Sequence, residues 1–383
     1  MNIIVATGGN IPSKFAHSFN VMKMTQGFYK LGNNVKTVVP LSLPSFIRKI
    51  KIKDIYSFYG IDKSIKIKYI PVFSLRALKQ SSDFERFDRS AAEYCKKQNI
   101  ELAYSRSFRI PYYCVKMGVP TIMETHTTNY RNPDLQKIYE VSNDPNFKGL
   151  VTISEKIKKE HIKRGIPEEK ILVLEDGVDL DRFKINDNRY FWREKLKLPV
   201  NMNIIIYCGQ LYKEKGIEDI LLTAKKLNKK NIFFVLIGGF TKDISKWKEY
   251  CKEKFINNVS FEGFVNNSEI PGYLKAADVL IMPYNTKVNF KIMDINTTSP
   301  MKLFEYMASN RPIVSTNIPV ISKVIKHNKS GLLAGPNNIE QLSSYVVELI
   351  NDSEKSKNLA AKAFDDVRKY TWVNRCKKIL KLT

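Results

Sequence analysis

The chain has 383 residues, so two domains are the first expectation, since one compact domain usually holds about 150 residues. Hydrophobic residues make up 43% of it and charged residues 26%, which excludes a disordered or collagen-like chain and is typical of a soluble globular protein. The formal net charge of +25 indicates either an anionic partner or a general bias of the sequence toward lysine.

The cysteine content and the apolar runs predict the cellular compartment of the protein. Its five cysteines are scattered and form no Cys-x-x-Cys pair, which indicates a reducing cytoplasm and no structural zinc site. No apolar run approaches the roughly 18 residues that span a bilayer, and the N-terminus is typical of a first strand rather than of a signal peptide. We therefore expect a cytoplasmic protein without a transmembrane helix.

Short apolar strands alternate with amphipathic helices along the chain. Residues 3–6, 18–31 and 35–39 predict strand, helix and strand, and the pattern restarts near residue 200 with predicted strands at 204–208, 232–237 and 279–282. The charged stretch 179–199 between the halves is interpreted as a linker. This order predicts an α/β fold of two doubly wound domains, with ligands bound in a cleft at the carboxyl ends of the strands.

The clearest motif is a predicted helix start at residues 299–308. Ser299 is a typical N-cap and Pro300 a typical first helical residue, but Lys302 stands where a capping box has an acid. A cation in the first turn opposes the helix dipole by about 0.3–1 kcal/mol unless an anion binds there. This start is therefore a candidate phosphate site.

A second helix start, after residue 216, has the same character. Lys213 and Lys215 precede Gly216, and the two starts together indicate a clamp for a diphosphate, although solvated lysines are the alternative. Glu305 lies within an otherwise apolar helix and needs partners. It either pairs with Lys302 one turn earlier or accepts hydrogen bonds from vicinal hydroxyl groups such as those of ribose.

Six segments resemble a known family, the retaining glycosyltransferases of family 4. They are residues 151–154, 174–183, 207–216, 263–265, 273–279 and 299–314, and the likeness extends more loosely over the first 150 residues. The resemblance implies the GT-B fold, which consists of two facing Rossmann-like domains. The implied boundaries are 1–184 for an acceptor domain, with a C-terminal helix at about 368–383 packing back on it, and 185–367 for a donor domain.

The resemblance also implies a role for each matching residue. Lys215 would contact the donor phosphates, the Met301 and Lys302 backbone would meet the phosphate or sugar, and Glu305 would bind the ribose. The other implied donor-binding residues are Gly9, Gln210, Phe264, Val265 and Ser299, with Phe264 and Val265 against the base. The implied acceptor-binding residues are Gly8 and Asn10, and the implied catalytic residues are His126 and Lys215.

Two positions depart from the family pattern. Gln210 stands where the family often has arginine, so Lys213 or Lys215 would carry more of the phosphate charge. The first acid of the family's Glu-x7-Glu pattern falls on Thr297, and Asp294 is offset from it by three residues. Thr297, Thr298 or Asp294 would then recognise the sugar hydroxyls.

The implied activity is transfer of a sugar from a nucleotide donor to a saccharide or lipid-linked acceptor, in cell-surface polysaccharide or glycolipid synthesis. No residue is a candidate nucleophile, so the resemblance favours same-face attack, with catalysis by positioning and charge stabilisation. No cofactor and no metal are expected, because Asp179-Leu180-Asp181 lies in a segment typical of the family's interdomain connection.

The acceptor side carries a basic, aromatic-rich segment at residues 44–72. It is either a docking surface for an anionic membrane or a core strand and helix with solvated lysines. A sugar-nucleotide epimerase of the same fold is an alternative function. A nucleic-acid-binding protein is a weaker one, because no nucleic-acid-binding signature is present and no nucleic-acid partner is expected.

Overall fold

The computed structural model describes residues 1–72, 80–126, 132–284 and 299–383. The described residues form two compact units. The first comprises Met1–Gly177 and the C-terminal segment Trp372–Thr383, and the second comprises the described residues from Val178 to Thr371 apart from Ser299. No helix in this part of the chain is both long enough and apolar enough to span a bilayer.

A parallel sheet forms the centre of the first unit. Its seven described strands lie in the order β3-β2-β1-β4-β5-β6-β7. The inner strands are apolar on both faces, and β4 and β5 are buried at every position, as helices on both sides of a parallel sheet require. The strands are β1 (Asn2–Ala6), β2 (Asn34–Leu41), β3 (Lys66–Pro71), β4 (Leu102–Ser105), β5 (Thr121–Glu124), β6 (Phe147–Thr152) and β7 (Ile171–Val173).

Helices connect these strands, and several begin at side-chain caps. The Ser42, Asp54, Asn132 and Ser154 side chains each accept a hydrogen bond from a backbone N–H in the first turn of the following helix. The helices are α1 (Ala16–Lys30), α2 (Leu43–Lys51), α3 (Ile55–Tyr59), α4 (Gln80–Lys97), α5 (Arg109–Lys116), α6 (Pro133–Val141) and α7 (Glu155–Ile162).

A second parallel sheet forms the centre of the other unit. Its six described strands lie in the order β10-β9-β8-β11-β12-β13. Alternate residues of β8 enter different clusters, because Ile204 and Ile206 pack on one face and Ile205 and Tyr207 on the other. The strands are β8 (Asn203–Cys208), β9 (Ile232–Ile237), β10 (Val259–Gly263), β11 (Val279–Met282), β12 (Ile313–Thr316) and β13 (Leu332–Ala334).

Helices cover both faces of this sheet. They are α8 (Arg189–Leu196), α9 (Ile217–Lys226), α10 (Thr241–Glu253), α11 (Ile270–Ala276), α12 (Met301–Ala308), α13 (Pro319–Ser322), α14 (Ile339–Asn351) and α15 (Ser353–Val367). In both sheets the first strand is central: the next two strands are added on one side of it and the later strands on the other side. The boundary between the two sides is the topological switch point of a doubly wound sheet. The predicted α/β class with two Rossmann-like domains is confirmed.

The chain ends in a helix that belongs to the first unit. This helix, α16 (Trp372–Ile379), packs against α1. The approach is close at Gly27, where an added Cβ would lie 2.6 Å from the Cys376 Sγ. A side chain at Gly27 would therefore push α16 away from α1.

The prediction of a linker at residues 179–199 is wrong. A short 3-10 helix (Leu180–Phe183) and α8 occupy this stretch. The Arg193 side chain is only 2% exposed, and it donates to the Ala276 carbonyl at 3.0 Å and to the Asp278 carboxylate at 2.5 Å. The charged residues of 179–199 are typical of a linker when their partners are not known, because those partners, such as Asp278, are distant in the sequence.

Two glycines bring backbone close to backbone at the carboxyl edge of the second sheet. An added Cβ on Gly216, whose φ is +74°, would lie 1.4 Å from the Pro283 carbonyl oxygen. An added Cβ on Gly238 would lie 2.2 Å from the Gly209 carbonyl oxygen. The loops that follow β8, β9 and β11 therefore meet without intervening side chains.

Replacing Gly216 tests this packing. We expect Gly216→Ala to lower the free energy of unfolding by at least about 3 kcal/mol, because a left-handed φ and a backbone clash both oppose the added methyl group. Gly165→Ala is the matched control, since Gly165 has φ +94° but no atom within 4 Å of the added Cβ. The control should cost only about 1 kcal/mol. Equal urea unfolding midpoints for the two variants would contradict the close approach.

Candidate active site

The loop after β8 meets the end of β11 at the point where the strand order of the second sheet reverses. The Lys215 Nζ donates a hydrogen bond to the Tyr284 hydroxyl at 3.3 Å and lies 4.4 Å from the centre of that ring. Ligands of doubly wound sheets bind at this kind of position, outside the carboxyl ends of the strands. The structure thus places the predicted phosphate contact Lys215 at the switch point.

Helix α12 begins beside the same strand end. The Cys208 N–H at the end of β8 donates to the Tyr306 hydroxyl at 2.6 Å, which anchors α12 to β8. In the described part of the chain, the N–H groups of Met301 and Lys302 in the first turn have no hydrogen-bond partner. Free N–H groups at a helix start form an anion site together with the helix dipole.

The prediction that Ser299 caps this helix is wrong. The N-cap is Pro300, which offers no side-chain hydrogen bond, and Met301 is the first helical residue. The Ser299 hydroxyl instead accepts a hydrogen bond from the Asp176 N–H at 2.9 Å, and the two residues belong to the same unit. A partner that is 123 residues away in sequence is not visible from local spacing.

Glu305 is buried among cations, which supports the ion-pair interpretation of this residue. Its carboxylate accepts hydrogen bonds from the Lys302 Nζ at 2.6 Å, the Arg182 Nη1 at 3.1 Å and the Asn267 Nδ2 at 3.5 Å. Burial alone would raise the pKa of Glu305, but Lys302 and Arg182 outweigh it and lower that pKa to about 2. Glu305 is therefore a carboxylate at every physiological pH.

Arg182 and Asn267 are partners of Glu305 that the sequence patterns did not single out. Arg182 also donates a hydrogen bond to the Asn267 carbonyl oxygen, so the two residues hold each other beside Glu305. Arg182 lies in one of the segments that carry the family likeness, and this was the one signal in the sequence that could have identified it as a partner of Glu305. Nothing in the sequence near Asn267 pointed to Glu305.

The second predicted helix start differs from the first. Helix α9 carries Glu218 and Asp219 in its first turn, and Lys213 lies 3.6 Å from the Glu218 carboxylate. The positive end of the α9 dipole is thus already compensated by carboxylates of the protein. The predicted clamp of two cationic helix starts is therefore wrong in its second half, although Lys215 still lies at the switch point.

The remaining predicted donor residues lie at neighbouring strand ends. Gln210 follows β8, and its carbonyl oxygen accepts a hydrogen bond from the Tyr207 hydroxyl at 2.7 Å. Phe264 and Val265 follow β10, and Val265 packs against the core of its unit. Thr297, Thr298 and Asp294, the candidates for the sugar hydroxyls, lie outside the described residues.

In the first unit the loop after β1 carries the predicted acceptor residues. The Gly8 N–H donates to the Ser107 hydroxyl at 2.6 Å, and the Gly9 N–H donates to the Thr7 hydroxyl at 3.1 Å. The Asn10 side chain accepts from the Ser42 hydroxyl, at the start of α2, at 2.8 Å. The backbone N–H groups of Gly8 and Gly9 are thus engaged within the protein.

His126 lies just after β5, at the carboxyl edge of the first sheet. Its Nε2 is 2.5 Å from the Glu124 Oε1, and Glu124 is buried and also bound by Arg375. Burial and the neighbouring Arg106 hold the pKa of His126 well below its usual range, although Asp176 acts in the other direction. His126 is therefore neutral at pH 7, and it can act as a hydrogen-bond donor or acceptor there.

Glu124, His126 and Asp176 have ligand atoms within 4.8 Å of one another, a spacing that a metal ion could use. The surroundings fit a metal poorly. Arg375 holds both oxygens of Glu124 at 3.2 Å, and the Arg106 Nε lies 4.0 Å from one of them. These guanidinium groups already balance the two acids, so a cation would meet like charges.

The chain is similar to known glycosyltransferases. Residues 188–366 match the family model of glycosyl transferases group 1. The chain is 25% identical over 237 residues to an uncharacterized glycosyltransferase, MJ1607, of Methanocaldococcus jannaschii, covering 60% of this chain and 57% of that one. It is 25% identical over 188 residues to the processive diacylglycerol alpha-glucosyltransferase of Acholeplasma laidlawii, covering 48% and 52%. The chain thus spans about half the length of these relatives.

Among solved structures, Anabaena Alr3699/HepE in complex with UDP and glucose superimposes with a TM-score of 0.70 at 15% identity, covering 100% of this chain and 98% of that one. The predicted GT-B fold is thereby confirmed. The chain is thus similar to glycosyltransferases in part of its sequence and in its fold.

Removing the Glu305 charge tests the electrostatics of the site. The folded pKa of about 2 lies below the ordinary value of 4.5, so the contribution of Glu305 to stability is complete above pH 4.5 and is lost as the pH falls toward 2. We expect Glu305→Gln to lower the free energy of unfolding by about 3 kcal/mol at pH 7, and by much less near pH 2. Urea unfolding across this pH range measures both effects.

Glu93→Gln is the control for this measurement. Glu93 forms an ion pair with Arg89 in which both side chains are more than half exposed. Its loss should cost less than about 1 kcal/mol. The account of the buried carboxylate fails if Glu305→Gln shows the same small, pH-independent effect.

Proposed function

We propose that this protein is a retaining glycosyltransferase of family 4 that moves a sugar from a nucleoside diphosphate donor to a saccharide or lipid-linked acceptor, in cell-surface polysaccharide or glycolipid synthesis. The observation that carries the donor class is the start of α12, whose Met301 and Lys302 N–H groups have no partner among the described residues. The start of α12 lies at the switch point of the second sheet, where a pyrophosphate is expected to bind. The UDP bound to Anabaena HepE supports UDP as the first nucleotide to test.

The donor would lie along the carboxyl edge of the second sheet. In this proposal the β-phosphate meets the first turn of α12, and Lys215 approaches it from the loop after β8. Glu305 would accept hydrogen bonds from the ribose hydroxyls, while Lys302 and Arg182 keep it ionised. Phe264 and Val265 would contact the base, and Gln210 would complete the donor contacts of this unit.

The chemistry requires charge stabilisation more than a nucleophile. The bond between the anomeric carbon and the donor phosphate oxygen breaks, the acceptor oxygen attacks from the same face, and its proton passes to the departing phosphate. Lys215 and the helix start would stabilise the negative charge that develops on that phosphate. His126 would contact a sugar or acceptor hydroxyl from the first unit.

A charge-removing substitution tests the donor site. Lys215→Met should weaken UDP binding by about 10- to 100-fold, because it removes a charge-assisted hydrogen bond to phosphate. Lys226→Met is the control, since Lys226 belongs to the same unit and forms an exposed ion pair with Glu340. Isothermal titration with UDP measures both, and equal affinities for the two variants would show that the phosphate site is misplaced.

The activity itself is tested by a donor screen. Thermal shifts with UDP, GDP and ADP sugars should identify one stabilising donor, because a bound ligand stabilises only the folded state. That donor should then transfer its sugar to a saccharide or to a diacylglycerol-type lipid. Isomerisation of the donor sugar without any acceptor would instead indicate an epimerase and contradict the proposal.

Helix α2 supports a lipid-linked acceptor at a membrane surface. Its apolar residues recur at helical spacing on the exposed side, with Leu43 71%, Phe46 48%, Ile47 44% and Ile50 65% exposed. Basic residues alternate with this stripe and follow it, namely Arg48, Lys49, Lys51 and Lys53. The rest of the basic segment is different, because Phe58 and Tyr59 are core residues and β3 is part of the sheet.

This combination of exposed apolar and basic residues fits an anionic lipid surface. The acceptor residue Asn10 is hydrogen-bonded to Ser42, which is the N-cap of α2. A lipid-linked acceptor whose head group reaches Gly8 and Asn10 would therefore have its lipid portion near α2. The diacylglycerol substrate named for the Acholeplasma relative agrees with such an acceptor.

Polar substitutions in α2 test this membrane contact. We expect Phe46→Ser combined with Ile50→Ser to reduce co-sedimentation with phosphatidylglycerol vesicles at least tenfold, because about two buried apolar side chains are lost from the lipid. Phe255→Ser is the control, since Phe255 is 84% exposed but lies in the other unit. Unchanged binding of the α2 variant would contradict the proposed docking surface.

A further inference from the structure

Glu124, the last residue of β5, is fully buried and surrounded by hydrogen-bond donors. Its Oε1 accepts from the Asn20 Nδ2 at 3.3 Å and from the Arg375 Nη2 at 3.2 Å. Its Oε2 accepts from the Arg375 Nη1 at 3.2 Å and from the Tyr104 hydroxyl. Burial raises the pKa of Glu124 and Arg375 opposes that effect, so the arginine is what favours the carboxylate form.

Arg375 reaches this cluster from α16, almost at the end of the chain. Its Nε donates to the Glu175 carbonyl oxygen at 3.0 Å, and its Nη2 also approaches the Leu174 carbonyl oxygen at 3.4 Å. The side chain is only 2% exposed. A bidentate, fully hydrogen-bonded guanidinium fixes both the charge and the orientation of the carboxylate that it meets.

His126 contacts the same carboxylate through one ring nitrogen. All the other polar partners of Glu124 among the described residues donate to it. We therefore assign the carboxylate as the acceptor of the 2.5 Å contact and the His126 Nε2–H as its donor. The Nδ1 of His126 has no hydrogen-bond partner in the described part of the chain, and the side chain is 17% exposed. The Nδ1 is then the acceptor atom of the ring.

We propose that Glu124 and Arg375 are positioning residues that hold His126 in the Nε2–H tautomer, so that its Nδ1 accepts a hydrogen bond from a hydroxyl of the sugar or acceptor. The substrate hydroxyl in this inference rests on the proposed function, whereas the tautomer does not. The C-terminal helix thereby controls a residue at the carboxyl edge of the first sheet through one carboxylate.

Nitrogen NMR on the wild-type protein tests the tautomer directly. The protein is labelled with ¹⁵N-histidine, treated with EDTA and measured at pH 7, and His126 is assigned by its loss in His126→Asn. We expect a protonated Nε2 and an unprotonated Nδ1. A proton on Nδ1, or on both nitrogens, would overturn the inference. So would displacement of the His126 signals by micromolar Zn²⁺ or Mn²⁺, because it would show that the cluster is a metal site.

Variants then test control of the tautomer by its neighbours. Glu124→Gln should place part of the His126 population in the Nδ1–H form, because an amide can donate to Nε2. Arg375→Met should do so less completely, and Arg375→Lys should restore the wild-type state in part. The signals of His161, a buried histidine beside Tyr139, serve as an internal reference. If these variants do not fold, the wild-type tautomer alone decides the inference.

Kinetics separate positioning from a merely structural role. We expect kcat to fall about 100-fold in Glu124→Gln and Arg375→Met, with a donor KM changed less than about threefold, and partial rescue in Arg375→Lys. Asp278→Asn is the matched control, because it breaks a buried carboxylate–arginine pair in the other unit. An equal loss of kcat in the control would overturn the positioning role. An inactive wild-type protein with the expected tautomer would contradict the proposed function and still support the positioning.

Discussion

The proposed donor site depends on a cation in the first turn of α12, where the helix dipole disfavours it. Lys302 is held there by Glu305, one turn later, and Glu305 is in turn held by Arg182. Lys302 and Arg182 thus share one carboxylate, which leaves an excess of positive charge at the helix start. The N–H groups of Met301 and Lys302 there have no partner among the described residues. An anionic ligand would remove this excess, and a nucleoside diphosphate carries the charge to do so.

Each of the two units contains a buried glutamate that is paired with an arginine. These glutamates are Glu124 at the end of β5 in the first unit and Glu305 within α12 in the second. Each glutamate is neutralised by an arginine from a distant part of the chain, Arg375 in α16 and Arg182 in a 3-10 helix. Because an unpaired buried carboxylate is costly, each arginine couples the formation of its site to the folding of the whole unit.

The central strands β1, β8, β9 and β11 were predictable because they are runs of apolar residues. The predicted strands at 232–237 and 279–282 coincide with β9 and β11, and the predicted strand at 204–208 differs from β8 by one residue. The glycines and lysines at the strand ends also pointed correctly to the switch point. Local patterns of this kind carry the fold class and the approximate location of a site.

The errors arose where long-range contacts decide the outcome. Ser299 was expected to cap α12, but its hydroxyl is taken by Asp176, and the charged linker proved to be folded because Arg193 finds Asp278. The prediction of a second cationic helix start was wrong for a local reason, because Glu218 and Asp219 lie in the first turn of α9, just after Gly216. Arg375 could not have been found, since its partner Glu124 is 251 residues away.

A crystal structure of the protein with UDP tests the central claim most directly. The account predicts the β-phosphate at hydrogen-bond distance, about 3 Å, from the N–H groups of Met301 and Lys302, with the Lys215 ammonium beside it. A diphosphate bound away from the start of α12, or bound there without contact to either N–H group, would contradict it.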